Sequence, residues 1–178
     1  MNKTCVLRPF RGSTPPPGLE LTATISRQVN FLAIQYSLVG NLSELAIPAP
    51  APVPCRKNSL WEGTCFEFFL AARNSPRYWE FNLSPSGHWN VYRFAAYRQG
   101  MQEETAFTSL LLVIHRQSDS LSLSLEADLE QITQADQAIE VAISTVLQGR
   151  DGQPTYWALA HCGPQADFHR RDSFVVEL

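Results

Sequence analysis

Charge is scarce in this sequence. Only 17% of its 178 residues are Asp, Glu, Lys or Arg, against about 25% in an ordinary soluble domain. Its surface must therefore rely on Ser, Thr, Gln and Asn. Glycine is also sparse, at 9 residues, and no Gly-X-Y period, heptad pattern or low-complexity tract appears. Collagen-like, coiled-coil and disordered chains are excluded. No apolar run approaches the ~18 residues needed to span a bilayer as a helix. Met1 to Phe10 lacks the apolar stretch of a secretory signal, so the expected location is the cytoplasm. The four cysteines, Cys5, Cys55, Cys65 and Cys162, form no Cys-x-x-Cys pair. A structural zinc site is not indicated, and in the cytoplasm they are expected to be free, buried thiols.

What the sequence does hold is hydrophobic residues, at 44%, enough to bury one core, so residues 1–178 are expected to form a single domain. The net charge of −3 argues against nucleic acid as a partner. Twelve of the fourteen cations are Arg, which suits planar hydrogen bonding to carboxylates or sugar hydroxyls. Proline is plentiful (12). The run Ile47 to Pro54, IPAPAPVP, denies both helix and central strand and predicts an edge-wrapping loop.

Period-two alternation dominates the rest. Leu19, Leu21, Ala23 and Ile25 alternate with polar residues, as do Leu32, Ile34, Tyr36 and Leu38. Leu121, Leu123 and Leu125 alternate with Ser120, Ser122 and Ser124. Phe66, Phe68 and Leu70 oppose Cys65, Glu67 and Phe69. Trp79, Phe81 and Leu83 oppose Tyr78, Glu80 and Asn82. Ile139 to Leu147 and Tyr156 to Ala160 predict two late strands. Ser84-Pro85-Ser86-Gly87 predicts the turn of an aromatic-rich hairpin from Arg77 to Tyr97. Only Leu125 to Gln134 suggests a helical turn. Short strands without alternating long helices predict an all-β, antiparallel β-sandwich, immunoglobulin-like or jelly-roll-like, with one short helical segment.

Three constellations could carry chemistry. Glu67, Glu80 and Asn82 share one sheet face flanked by aromatics. Carboxylates and amides there would bond sugar hydroxyls, while rings cover the C–H face. An ordinary solvated sheet side is the plain alternative. The tail from Tyr156 to Phe174 concentrates His161, Asp167, His169, Arg170, Arg171 and Asp172. These could bind a ligand or a metal, or simply pin a loop by ion pairs. The third set is Trp61, Trp79, Trp89 and Trp157, mostly core by size, with Arg93 and Arg98 beside Tyr92 and Tyr97.

The runs WEGTCFEFFLA (61–71), YWEFNLSPSGHWNVYRFAAYRQGM (78–101) and YWALAHCGPQADFHRRDSF (156–174) resemble bacterial DOMON-like domains, relatives of family 9 carbohydrate-binding modules. The resemblance covers Trp61 to the C-terminus. It implies a β-sandwich that binds a ligand, with sugars or haem as the classes known among relatives. Thr64 stands where family 9 modules often carry Asp, and no D-x-D-x-D calcium motif is present. Haem-binding relatives use Met and His; Met101 with His88, His161 or His169 are the corresponding residues.

The expectation is thus a non-catalytic module for carbohydrate or a similar small polar ligand, with no cofactor or metal and no membrane or nucleic-acid partner. Its site residues are Glu67, Glu80, Asn82, Trp89, Arg98, His161, Asp167 and His169. Haem or metal binding through Met and His, a hydrolase using Asp167 and His169, and a protein-interaction module are the rival expectations.

Overall fold

A computed structural model describes residues 2–178. Twelve strands follow one another: β1 (Lys3–Pro9), β2 (Glu20–Gln28), β3 (Phe31–Val39), β4 (Cys65–Ala72), β5 (Tyr78–Leu83), β6 (Trp89–Phe94), β7 (Gln102–Glu103), β8 (Leu112–Arg116), β9 (Ser120–Asp128), β10 (Ile139–Gln148), β11 (Pro154–Ala158) and β12 (Val176–Glu177). All pairings between these strands are antiparallel. They form two layers. One runs β1-β2-β3-β9-β8, the other β7-β6-β5-β4-β10-β11-β1. β1 belongs to both, because Lys3 to Leu7 pair with β2 while Arg8 and Pro9 pair with β11. The expected antiparallel β-sandwich is the fold.

The main core lies between the layers. Ile25, Leu32, Ile34, Leu38 and Leu123 meet Phe66, Phe68, Leu70, Phe81, Leu83 and Ile143, all essentially inaccessible. Each such side chain contributes roughly 1.5–3 kcal/mol by leaving water. Tyr36 is buried among them, and its hydroxyl donates to the Glu67 carbonyl at 2.7 Å. That bond satisfies the phenol and ties the two layers together at the strand that carries Glu67.

The layers differ on their outer sides. β2, β3 and β9 alternate buried with partly exposed residues, and Ser122 and Ser124 face outward. β4 and β5 are buried at every position. Their second face is covered by a smaller cluster of Phe69, Ala71, Tyr78, Tyr92, Phe94, Ala142 and Phe174, with Phe168 packed on it. The chain beyond β11 folds back over this face.

Some expectations change. Leu125 to Gln134 forms no helix: Leu125 to Asp128 continue β9, opposite β3. Leu129 to Thr133 make a turn in which Ile132 and Thr133 N–H both donate to the Leu129 carbonyl at 2.9 Å. Nine consecutive ladder pairs with β3 outweigh one isolated helical turn, whose nucleation is unfavourable. Helical geometry occurs instead as three 3₁₀ turns, Leu42–Glu44, Leu60–Glu62 and Arg171–Ser173. All four cysteines are free as expected, yet only Cys65 is buried; Cys5 is half-buried, and Cys55 and Cys162 lie exposed on loops. The proline run follows the β5–β6 turn, where Ala51 N–H donates to Ser86 O at 2.8 Å. Gly87 closes that turn at φ +91°, and a Cβ there would meet Pro54 at 3.0 Å. Both constraints call for glycine.

Candidate functional site

β4 and β5 build a polar floor on the covered face. Glu67 pairs opposite Asn82 and Phe69 opposite Glu80, so Glu67 and Glu80 lie diagonally on neighbouring strands. β10 flanks them, with Ser144 opposite Glu67. The tail supplies the roof. The His169 ring stands edge-on to Phe69 and Phe94, with centroids 5.1 Å away in each case. Between floor and roof lies a cavity of about 470 Å³, within the ~300–1,000 Å³ usual for small-molecule sites. Glu67, Glu80, Arg98, His169 and Met101 are its polar or polarisable lining, and Trp61, Phe69, Phe94, Tyr156 and Phe168 its aromatic walls.

The electrostatics are unusual for a sheet face. Glu67 and Glu80 are only 2% and 5% exposed. Burial, followed by the charge of Glu80, pushes the Glu67 carboxyl well above the ordinary carboxylate range. Burial raises Glu80 to about 7, against the Asn82 amide and the charge of Arg98, which favour its ionised form. Asn82 Nδ2 donates to Glu80 Oε1 at 2.9 Å. Glu67 Oε1 and Ser144 Oγ, in contrast, are buried without a hydrogen-bond partner. An unmatched buried polar atom costs about 1–3 kcal/mol, and native folds keep few of them.

His169 is held neutral. Burial, then the charge of Arg98, lowers it to about 4. Its Nδ1 lies 2.8 Å from Tyr78 Oη, which also accepts the Arg98 N–H at 3.2 Å. We assign the Tyr78 proton to the bond with Nδ1, which leaves the ring proton on Nε2. That nitrogen is 3.8 Å from Glu80 Oε2, too far for a direct hydrogen bond. Arg98, at φ +52°, is fixed by Asp167: its Nη2 donates to Oδ1 at 2.8 Å. Asp167 also accepts the Tyr97 hydroxyl at 2.5 Å and the His169 backbone N–H at 3.1 Å. These bonds hold its own carboxyl below the usual range despite partial burial, which acts the other way.

Of the eight residues singled out in the sequence, four line this cavity or build its roof contacts directly: Glu67, Glu80, Arg98 and His169. Asn82 lies on the same floor, fully buried behind Glu80. Asp167 anchors Arg98 and the tail. Two lie elsewhere. Trp89 is packed in the main core with the Arg56 guanidinium 4.4 Å from its ring centre. His161 bonds through Nε2 to the Arg8 carbonyl at 2.8 Å and stands edge-on to Phe10. Asp167, for its part, makes no bond to the His169 ring. Among the described residues, no three of His, Cys, Asp and Glu converge to hold a metal ion. Of the Met and His residues considered for haem, only Met101 and His169 share the cavity; His88 lies against Cys55.

The aromatic walls were not in that set. Phe69 was legible, two positions after Glu67 on the same strand face. Trp61 is one of the four tryptophans named above, with no ligand face assigned to it; Tyr156, at the middle of β11, reads only as part of a late strand, and Phe168 lies in the tail, whose course local sequence does not set.

No protein-family model matches the sequence, and no curated protein matches it either. The fold does have solved counterparts. A candidate carbohydrate-binding protein from Bacteroides uniformis superposes with a TM-score of 0.70 at 14% identity, covering 97% of this chain and 84% of that one. A family 9 carbohydrate-binding module from Caldicellulosiruptor kristjanssonii, in complex with cellotriose, superposes with a TM-score of 0.53 at 8% identity. It covers 88% of this chain and 71% of its own. The chain thus has the β-sandwich fold of family 9 modules.

Proposed function

We propose that this chain is a non-catalytic carbohydrate-binding module of the DOMON-like type, and that the cavity under the tail is its binding site. The observation that carries this reading is the Glu67 carboxyl, buried at the floor of an aromatic-walled cavity with one oxygen unpartnered. A sugar hydroxyl both donates and accepts, so it matches the Glu67 carboxyl and the His169 Nε2–H on one lining. The C–H faces of a pyranose suit Trp61, Phe69 and Phe168. The names of the structural counterparts point to the same ligand class.

Binding without turnover fits the carboxyl placement. Glycosidase carboxyls flank the scissile bond from two sides, whereas Glu67 and Glu80 lie side by side on one floor. The hydrolase alternative lacks a bond between Asp167 and the His169 ring.

The test is titration calorimetry against a panel of mono- and trisaccharides of the glucose, xylose, mannose and galactose series. Saturable binding that Glu67→Ala abolishes, in a variant that still folds, is the expected result. A folded wild-type protein that binds none of the panel overturns the reading. A Soret band after haem addition, lost in His169→Ala, supports the haem alternative instead.

A further inference from the structure

We infer that the ligand of the cavity under the tail carries a protonated amine, held by Glu67 and Glu80 together and enclosed by the aromatic walls. This rests on the same cavity being the binding site; on the carbohydrate reading above, it makes the ligand an amino sugar.

The donors around Glu67 are committed elsewhere. Asn82, opposite it in the ladder, gives its amide to Glu80 at 2.9 Å. Arg98 gives its guanidinium to Asp167 at 2.8 Å. His169 is bonded through Nδ1 to Tyr78, and its Nε2 lies 3.8 Å from Glu80. The Cys65 thiol acts on the Glu67 carboxyl but is a weak donor. Glu67 Oε1 is left without a partner in a side chain that is nine-tenths or more buried. Native folds keep few such atoms, and this one belongs to a residue that lines a cavity.

Charge points to the kind of donor that is missing. The lining holds two acids, Glu67 and Glu80, and one cation, Arg98. Asp167 already pairs with that cation. His169 is neutral at pH 7, because burial holds it at about 4. The floor therefore presents two carboxyls and no cation bonded to either. A hydroxyl brings one donor and no charge. An ammonium group brings three donors, no acceptor and a positive charge. Diagonal positions across a ladder lie roughly 7–8 Å apart, a spacing that one nitrogen bridges with two of its N–H groups. Its bonds to carboxylates are charge-assisted and shorter than neutral ones. The faces of Trp61, Phe69, Phe94, Tyr156 and Phe168 attract a cation through their ring quadrupoles. An anionic ligand meets the two carboxyls instead.

The protons balance. In the free protein, burial keeps the Glu67 carboxyl protonated. When the ammonium arrives, the O–H bond of Glu67 breaks, its proton leaves to solvent, and the carboxylate pairs with the ligand nitrogen, which keeps its own protons.

Calorimetry at pH 6 compares each amine with its neutral counterpart: glucosamine with glucose, galactosamine with galactose, mannosamine with mannose, and cyclohexylamine with cyclohexanol. The expected result is an amine bound about tenfold or more tighter than its counterpart. Roughly one proton should be released per amine bound, read from the difference between buffers of low and high ionisation enthalpy. Glu67→Gln should erase the preference for the amine. If that variant melts early, proton release in the wild type decides. Neutral sugars bound as tightly as their amines overturn the ammonium site and leave the carbohydrate reading standing. A preference that survives in folded Glu67→Gln, or amine binding without proton release, overturns the ammonium site as well. Cyclohexylamine bound while every sugar and amino sugar fails keeps the ammonium site and overturns the carbohydrate reading. Binding of neither set removes both.

Discussion

Asn82 lies directly opposite Glu67 in the β4–β5 ladder, yet it donates its amide to Glu80 and leaves Glu67 Oε1 without a partner. Two carboxyls on one buried floor, only one of them served by that amide, set both the ligand chemistry of this face and its dependence on pH.

Stability should fall as pH rises from about 4.5 to 7. The unfolded chain releases the Glu80 proton near the ordinary value of 4.5, whereas the fold retains it up to about 7. The folded state then binds more protons, and the slope of stability with pH is negative. Glu67 acts in the same direction. His169 opposes them. Its folded value is lowered from 6.5 to about 4, so its contribution is present above 6.5 and is lost as pH falls toward 4. Glu80 and His169 shift by similar amounts, each worth on the order of 3 kcal/mol, and largely offset one another, so Glu67 carries the net loss. Urea denaturation at pH 5 and pH 8 measures this, and the protein should be the more stable at pH 5.

Glu67→Gln keeps the shape and removes the titration. We expect it to stabilise the fold at pH 8 by roughly 1–3 kcal/mol and to change little at pH 4.5. Denaturation midpoints at the two pH values give the answer directly.

Trp61 and Trp89 should behave oppositely. Trp61 borders the cavity at 37% exposure, while Trp89 is 3% exposed in the core. Trp61→Ala is expected to cost about tenfold or more in saccharide affinity with a melting temperature near wild type. Trp89→Ala should lose about 3–5 kcal/mol of stability, read by thermal melting, with the ligand preference of the surviving folded fraction unchanged.

Asp167→Asn weakens the clamp on Tyr97 and Arg98. The Arg98 side chain is half exposed, so the stability cost is expected to stay near 1 kcal/mol or below. For a chain of this size that is about 2–4 °C in melting temperature. Ligand affinity should drop further, because Arg98 and the His169 backbone both depend on this carboxylate. Calorimetry beside thermal melting separates the two effects.

Period-two alternation determined the strands and their faces. Phe66, Phe68, Trp79 and Phe81 had to share one side of the sheet, and Glu67, Glu80 and Asn82 the other, because successive side chains of an extended chain point oppositely. The β5–β6 turn also held information on Trp89. Its register sets Trp89 opposite Leu83, a core position, and so away from Asn82 and the carboxyls. Other elements gave weaker signals. β8 is an edge strand with three exposed and two half-buried residues, and β1 divides its few pairs between two layers. Neither shows a clean alternation. The decision that belongs to tertiary structure alone is the course of the chain after β11. Local sequence does not specify whether a loop bearing Asp167, Phe168 and His169 extends into solvent or folds across the sheet. It folds across because Phe168 and Phe174 bury against Phe69, Tyr78 and Phe94, and because Asp167 secures Tyr97 and Arg98. That packing turns an ordinary polar sheet face into a closed floor with two desolvated carboxyls.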